Sequence, residues 1–323
     1  MGVVSSPMTS NSIEVAGLRK DFGSLRAVDN ISFAVAEGEI FGFLGPNGAG
    51  KTTTQRLLTG VLRPTAGDIR IMGRDLRKDP VAAKRHVGVV PENANPYRDL
   101  SAWHNLMLMG RLYGMAKKRR EQKALQLLEY FGLLDRRRAK TKTLSKGLNQ
   151  RISLSMALIH DPRLLFLDEP TSGLDVESTR LIRRLIVDLN TRGVTVFLTT
   201  HDMQEAARLC DRVAIVCRGR IAAIDSPDAL RADFSSAQSV EVAFEKPLRD
   251  PALLQELASV SGVRQEKGKY ILFTDRPGEV ACRVALLARE RGLGLRSINT
   301  RAARLEDVFV HLTAAKGSGN GER

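Results

Sequence analysis

Cysteine is scarce in this 323-residue chain, with only Cys210, Cys217 and Cys282 present. So small and odd a number, set in apolar patterns, excludes a disulfide framework and predicts buried, reduced thiols of a cytosolic kind. No stretch reaches the roughly 18 to 20 apolar residues that a membrane-spanning helix needs. The N-terminus lacks a basic segment followed by an apolar run and a cleavage site, so no secretory signal is expected. Sustained heptads are also missing, which excludes a long coiled coil. Low-complexity sequence is confined to the ends. Residues 1–12 and 316–323 (KGSGNGER) are expected to be disordered tails.

What remains is an ordinary globular composition, 43% apolar, on a chain long enough for about two domains. The formal net charge is +14, and it is unevenly spread. Residues 111–142 hold 11 basic and 3 acidic side chains, including Lys117-Lys118-Arg119-Arg120 and Arg136-Arg137-Arg138, whereas residues 227–323 are nearly balanced. Such a stretch fits a solvated helical face, or a surface near anionic lipid or nucleic acid. Charge alone does not choose between them.

Period-two alternation predicts strands in IEVAGLRKDF (13–22) and AVDNISFAVA (27–36). The short apolar run EIFGFLG (39–45) predicts a buried strand, followed by a helix from Thr52 to Gly60. Further strands are expected at DIRIMG and HVGVV. Between 101 and 159 the apolar residues recur at helical spacing, as in Ala124, Leu127, Leu128 and Phe131, which predicts a helical subdomain. Strands and helices then alternate through LLFLDEP, 176–192, VTVFLTT, DMQEAARLC and VAIVCRG. That order implies a mostly parallel sheet with helices on its faces, an α/β domain over 13–230. A small α+β domain is expected over 235–315. Its strands are VEVAF, VRQE, YILFT and LRSIN, with helices near 250–260, 277–291 and at LEDVFVHLT, in a split βαβ order.

The chemistry concentrates in Gly45-Pro46-Asn47-Gly48-Ala49-Gly50-Lys51-Thr52-Thr53. Two glycines, a lysine and a hydroxyl at this spacing, between a strand and a helix, form a phosphate-binding loop. Its backbone N–H groups and the helix N-terminus attract phosphate oxygens. Lys51 would neutralise the β- and γ-phosphates of a nucleotide, and the Thr52 hydroxyl would hold Mg²⁺. A second element, Leu164 to Glu169, is an apolar strand ending in two carboxylates. Side chains alternate there, so Asp168 would orient the metal and Glu169 would polarise an attacking water as general base.

Over residues 13–230 these ordered motifs resemble the nucleotide-binding subunit of an ATP-binding-cassette (ABC) transporter. Leu144-Ser145-Lys146-Gly147-Leu148 stands where that family has its signature, usually LSGGQ. Ser172-Gly173-Leu174-Asp175 resembles its D-loop, His201 its switch histidine, and Phe22 the aromatic that stacks on adenine. The resemblance implies a P-loop NTPase cassette with an antiparallel β subdomain beside the parallel core. It also implies ATP with Mg²⁺ as cofactors and two copies closing head to tail. Ser145 and Gly147 of one copy would then contact the γ-phosphate held by the other, and His201 would contact it from its own chain. A separate membrane-spanning subunit would supply the pore, placing this chain peripherally on the cytoplasmic face of the cell membrane. The docking surface would be the helical subdomain, with Tyr97, Trp103 and Met107 as apolar anchors.

Two departures from the family pattern stand out. Glu92 takes the place where a glutamine is frequent, near Mg²⁺ and the phosphates, and Lys146 and Leu148 replace a glycine and the glutamine of the signature. Similar variants occur in ABC exporters of drugs, lipids and polysaccharides, and Leu305-Glu306-Asp307-Val308-Phe309 resembles the closing motif of their accessory domain. A soluble ABC-type ATPase acting on nucleic acid or ribosomes is the alternative. A single phosphate loop and no coiled coil weigh against it, so no nucleic-acid partner is expected. A catalytically inactive regulatory subunit is the third reading, opposed by the presence of Lys51, Asp168, Glu169 and His201.

Overall fold

The computed structural model describes residues 10–93, 96–233, 238–248, 250–266 and 268–301, together with Leu305, Asp307 and Phe309. Two compact units part between Ile224 and Asp225, ahead of the 230–235 boundary expected from the sequence.

In the first unit, β1 (Asn11–Phe22) and β2 (Leu25–Ala36) form an antiparallel pair. β3 (Ile40–Leu44) leads through the glycine-rich loop into α1 (Lys51–Leu58). Next come β4 (Ala66–Ile71), β5 (Arg74–Asp75), α2 (Pro80–Lys84) and β6 (Val87–Val90). A helical segment follows, α3 (Ala102–Leu112), α4 (Lys117–Tyr130) and α5 (Lys146–Leu158). The alternating part contains β7 (Leu164–Asp168), α6 (Val176–Thr191), β8 (Thr195–Thr200), α7 (Met203–Leu209), β9 (Arg212–Cys217) and β10 (Arg220–Asp225).

Two sheets result, an outer one in the order β2-β1-β4-β5 and a central one in the order β10-β9-β3-β8-β7-β6. In the central sheet β9, β3, β8, β7 and β6 run parallel. Every residue of β3, β7 and β8 is buried. A parallel sheet covered on both faces requires such unbroken apolar runs. Where the central sheet meets β2, Phe33, Phe41, Phe43 and Phe197 pack with ring centroids 5.6 to 6.2 Å apart.

The helical segment forms as its spacing predicts. Ala124, Leu127, Leu128 and Phe131 are all buried. Ser101 caps α3 by accepting the His104 amide at 3.2 Å. The basic residues Lys117, Lys118, Arg119, Arg136 and Arg138 are exposed.

The expected N-terminal tail is too long. Asn11 and Ser12 belong to β1, and Ser12 is fully buried. Its hydroxyl shares a 2.9 Å hydrogen bond with Thr195 and its carbonyl accepts the Met72 amide. These partners lie 60 or more positions away, so local composition cannot reveal them. The thiols also differ from expectation. Cys210 is buried, and burial raises its pKa, but Cys217 is half-buried and Cys282 exposed.

The second unit contains α8 (Pro227–Asp233), β11 (Ser239–Phe244), α9 (Ala252–Gln255), β12 (Gly262–Glu266), β13 (Lys269–Phe273), α10 (Pro277–Glu290) and β14 (Leu295–Arg301). Its strands form an antiparallel sheet in the order β12-β13-β11-β14. β13 thus lies between β11 and β12, the split βαβ arrangement. α10 buries Val280, Val284 and Ala288 in a core with Val240, Val242 and Leu272. Cys282 lies off that buried stripe, which accounts for its exposure. The helix expected over 250–260 is only one turn long, and Ser259 beyond it has φ of 70°. Leu305 is buried and Asp307 lies 3.2 Å from Arg264. Glu306, Val308 and the 316–323 tail lie outside the described residues.

Candidate nucleotide site

Strand register determines where the functional residues meet. Leu44 pairs with Thr200, and Asp168 with Thr199, so β3, β7 and β8 end together. The phosphate loop leaves β3, Glu169 follows β7 and His201 follows β8, all at the carboxyl edge where open α/β sheets bind ligands. A groove of about 740 Å³ opens there. Phe22, Gly48, Lys51, Thr52, Glu92, Glu169, Ser172 and His201 are among the residues that line it.

Between β3 and α1 the loop turns so tightly that Gly50 adopts φ of 102°, and a Cβ there would lie 2.5 Å from the Ala27 carbonyl oxygen. No other residue fits both conditions. Gly45, Pro46, Asn47, Gly48 and Ala49 complete the turn, and Thr53 lines the groove beside Thr52. Gly50 caps α1 without a side-chain bond, leaving the first-turn N–H groups directed toward the loop.

Lys51 is 6% exposed. Its ammonium donates to the Gly45 carbonyl at 2.8 Å and the Pro46 carbonyl at 3.3 Å, and lies 3.4 Å from Glu169 Oε1. Glu169 Oε2 lies 2.8 Å from His201 Nδ1. The carboxylate therefore bridges the phosphate-loop lysine and the histidine. Glu169 itself has φ of 48°, an uncommon backbone state for a residue with a side chain. Its amide donates to the Thr199 carbonyl at 3.0 Å. His201 is the most open of the three, with its side chain 56% exposed.

Asp168 is the last residue of β7. It accepts hydrogen bonds from the hydroxyls of Thr52, at 3.4 Å, and Thr199. It is 3% exposed, and no lysine or arginine bridges it among the described residues. A buried carboxylate facing a hydroxyl is a hard-oxygen pair suited to Mg²⁺. Among the described residues no group of three or more His, Cys, Asp or Glu forms a metal cage. Thr52 and Asp168 are the residues that would hold such an ion.

Ser145, Gly147 and Asp175 do not line this groove. Ser145 caps α5, accepting the Leu148 amide at 3.3 Å. Gly147 packs so closely on α6 that a Cβ would lie 2.3 Å from Ser178 Oγ. Asp175 caps α6, accepting the Ser178 amide and hydroxyl at 2.8 Å each, and these bonds hold its carboxyl below the usual carboxylate range. Lys146 reaches from the start of α5 to the Ser172 carbonyl at 2.7 Å. Lys146 thus joins the start of α5 to the segment around Ser172 within one chain.

The sequence did not single out Arg26 or Arg218, which also line the groove. Arg26 lies 3.2 Å from both Asp21 and Asp29, so its placement depends on β-sheet register. Charged residues near turns are too common for either arginine to have stood out.

Comparison with known proteins decides the family. A family model described as ABC transporter matches residues 28–172. The Nod factor export ATP-binding protein I of Rhizobium sp. (strain N33) is 39% identical over 306 residues, covering 95% of this chain and 98% of that protein. The chain belongs to the ABC transporter family. It is an ATP-binding subunit and an ATPase, built on the ABC cassette fold. A solved ATP-binding subunit of an ABC transporter has 30% identity and a TM-score of 0.64, covering 69% of this chain and 92% of that one. The ATP-binding cassette MJ0796, in a dimeric post-hydrolysis state bound to ADP and Pi, has 25% identity and a TM-score of 0.61, covering 66% and 98%. No helix among the described residues of this ABC subunit is long and apolar enough to cross a membrane.

Proposed function

We propose that this ABC subunit powers export through a separate membrane-spanning protein, working as one of two copies closed head to tail around ATP and Mg²⁺. The observation that carries this reading is Glu169, held between Lys51 and His201 at the mouth of the phosphate loop. A triphosphate entering the groove competes with Glu169 for Lys51. The freed carboxylate keeps its bond to His201 and faces the groove, where a water approaching the γ-phosphate would pass. Glu169 takes the proton of that water as general base, and His201 steadies the carboxylate and the phosphate. Thr52 and Asp168 would hold Mg²⁺, which would offset the negative charge on the phosphates. Glu92 adds a carboxylate to the same groove, and Phe22, 46% exposed, offers a ring face for a base.

The second copy is needed because Ser145 and Gly147 stand off the groove of their own chain. A partner's signature helix would bring its N-terminal N–H groups to the γ-phosphate. Loss of that phosphate on hydrolysis removes the differential affinity for the closed pair. The dimeric state of the MJ0796 cassette supports this reading.

The helical segment offers the surface for the membrane partner. A second groove, of about 770 Å³, is lined by Leu100, Trp103, His104, Leu125, Arg137 and Arg138, among others. The Trp103 amide donates to the Arg137 carbonyl at 2.9 Å, fixing the anchor beside the charges. Tyr97 is 52% exposed, while Met107 is half-buried. The chain would then sit at the cytoplasmic membrane face. Trp103→Ala is expected to leave basal ATPase activity within twofold and to abolish stimulation by the membrane subunit recovered by pull-down. Unchanged stimulation would remove this docking surface.

A further inference from the structure

Glu205 lies on α7, outside the nucleotide groove, and is 0% exposed. Both of its carboxylate oxygens accept from the Thr171 hydroxyl, at 2.7 and 2.9 Å. Oε2 also accepts from the Thr200 hydroxyl at 3.3 Å. Arg183, on α6, donates to Oε1 at 3.0 Å and reaches Asp202 at 3.6 Å. One buried carboxylate thus gathers the segment that follows Glu169, the strand end that precedes His201, and the helix that leaves the D-loop.

We propose that Glu205 is a positioning residue for hydrolysis, holding the Glu169 and His201 segments in register through Thr171 and Thr200. Glu169 has a left-handed backbone that persists only where its surroundings fix it. Upstream it is fixed by the hydrogen bond its amide donates to the Thr199 carbonyl, and locally by the Ser172 amide donating to its carbonyl at 3.1 Å. Downstream, two residues on, the side-chain anchor is Thr171 on Glu205. On the other segment, the Thr200 hydroxyl accepts the Asp202 amide at 3.0 Å, closing a turn around His201. Asp202 Oδ1 accepts the Glu205 amide, also at 3.0 Å. Backbone and side chain of Glu205 therefore act on the two sides of the Glu169–His201 pair.

A stability role alone does not account for this arrangement. Burying a carboxylate is costly, and an apolar side chain of similar volume frequently serves packing as well or better. What an apolar residue cannot supply is a directional bond to two hydroxyls. Glu205 touches neither nucleotide nor water in this scheme, so its effect passes through orientation. The inference rests on Glu169 and His201 acting as proposed above.

The test uses the full-length chain, with ATP turnover, ATP affinity and melting temperature measured together. Thr171→Val keeps the shape and deletes the bond. It is expected to lower kcat about tenfold or more, as for a lost hydrogen bond to a charged group, with ATP Kd and KM within twofold. Thr171→Ser is expected to restore kcat. Glu205→Gln should lower kcat similarly, and combining it with Thr171→Val should cost less than the sum of the two, because they share the Thr171–Glu205 bond. In the Glu169→Gln background Thr171→Val should have no further effect. Wild-type kcat in Thr171→Val overturns the proposal, as does failure of serine to rescue, or a loss of kcat that tracks ATP affinity or melting temperature. A normal rate in Glu169→Gln itself would instead sink the base assignment, which keeps the two failures apart.

Discussion

Glu169→Gln is expected to bind ATP with nearly native affinity and to turn it over 10² to 10³ times more slowly. The magnitude is that of removing a positioned general base, roughly 10²- to 10⁴-fold. The substitution keeps the volume and a hydrogen bond to His201, so the groove should survive. It also frees Lys51 from a carboxylate 3.4 Å away, which favours phosphate binding. A subunit that binds ATP and cannot cleave it should accumulate as a closed dimer. Size-exclusion chromatography with ATP and Mg²⁺ should show that dimer for the variant and little of it for the wild type. Single-turnover measurement of ADP release checks the chemistry directly. Turnover within a few-fold of wild type would show that another group removes the proton.

How much of this site was legible in the sequence depends on the distance over which each bond acts. The phosphate loop was readable because its requirements are local. Glycines, lysine and hydroxyl lie within nine positions, between an apolar strand and a helix. The β7 strand was equally plain, since an unbroken apolar run ending in Asp168-Glu169 suits a strand buried on both faces of a parallel sheet. Ser12 reads as tail in the sequence because its partners, Met72 and Thr195, come from elsewhere in the fold. Glu205 shows the same limit. In sequence it is one acidic residue in an amphipathic helix, and only the packing of α6, α7 and β8 reveals that it is buried and bonded to both site segments. Lys146 lies between these cases. Its departure from the usual glycine was visible, but its bond to the Ser172 carbonyl was not. Motifs recorded the groups that would touch ATP, whereas the groups that orient them depended on tertiary contacts.

Lys51→Ala is expected to abolish ATP turnover and to weaken ATP binding by about 10² to 10⁴. Two charge-assisted bonds to the β- and γ-phosphates, at about 1.5 to 3 kcal/mol each, account for that range. The variant needs a control, because Lys51 also has partners without nucleotide. Removing it strips the Gly45 and Pro46 carbonyls of a donor and leaves Glu169 buried with only the mostly exposed His201 beside it. A buried charge that loses its partner is strongly destabilising. Lys51→Ala should therefore also lower the melting temperature of the nucleotide-free chain, and weak binding alone could be mistaken for poor folding. The double variant Lys51→Ala, Glu169→Gln separates the two effects. It removes the unpaired carboxylate and should recover most of the lost melting temperature while still failing to bind ATP. Lys51→Arg should fail as well, since a planar guanidinium does not fit a point held by two carbonyls and a carboxylate. Recovery of ATP binding together with stability in the double variant would mean that Lys51 supports the loop without meeting the phosphates. Stability without binding assigns the ammonium to the nucleotide.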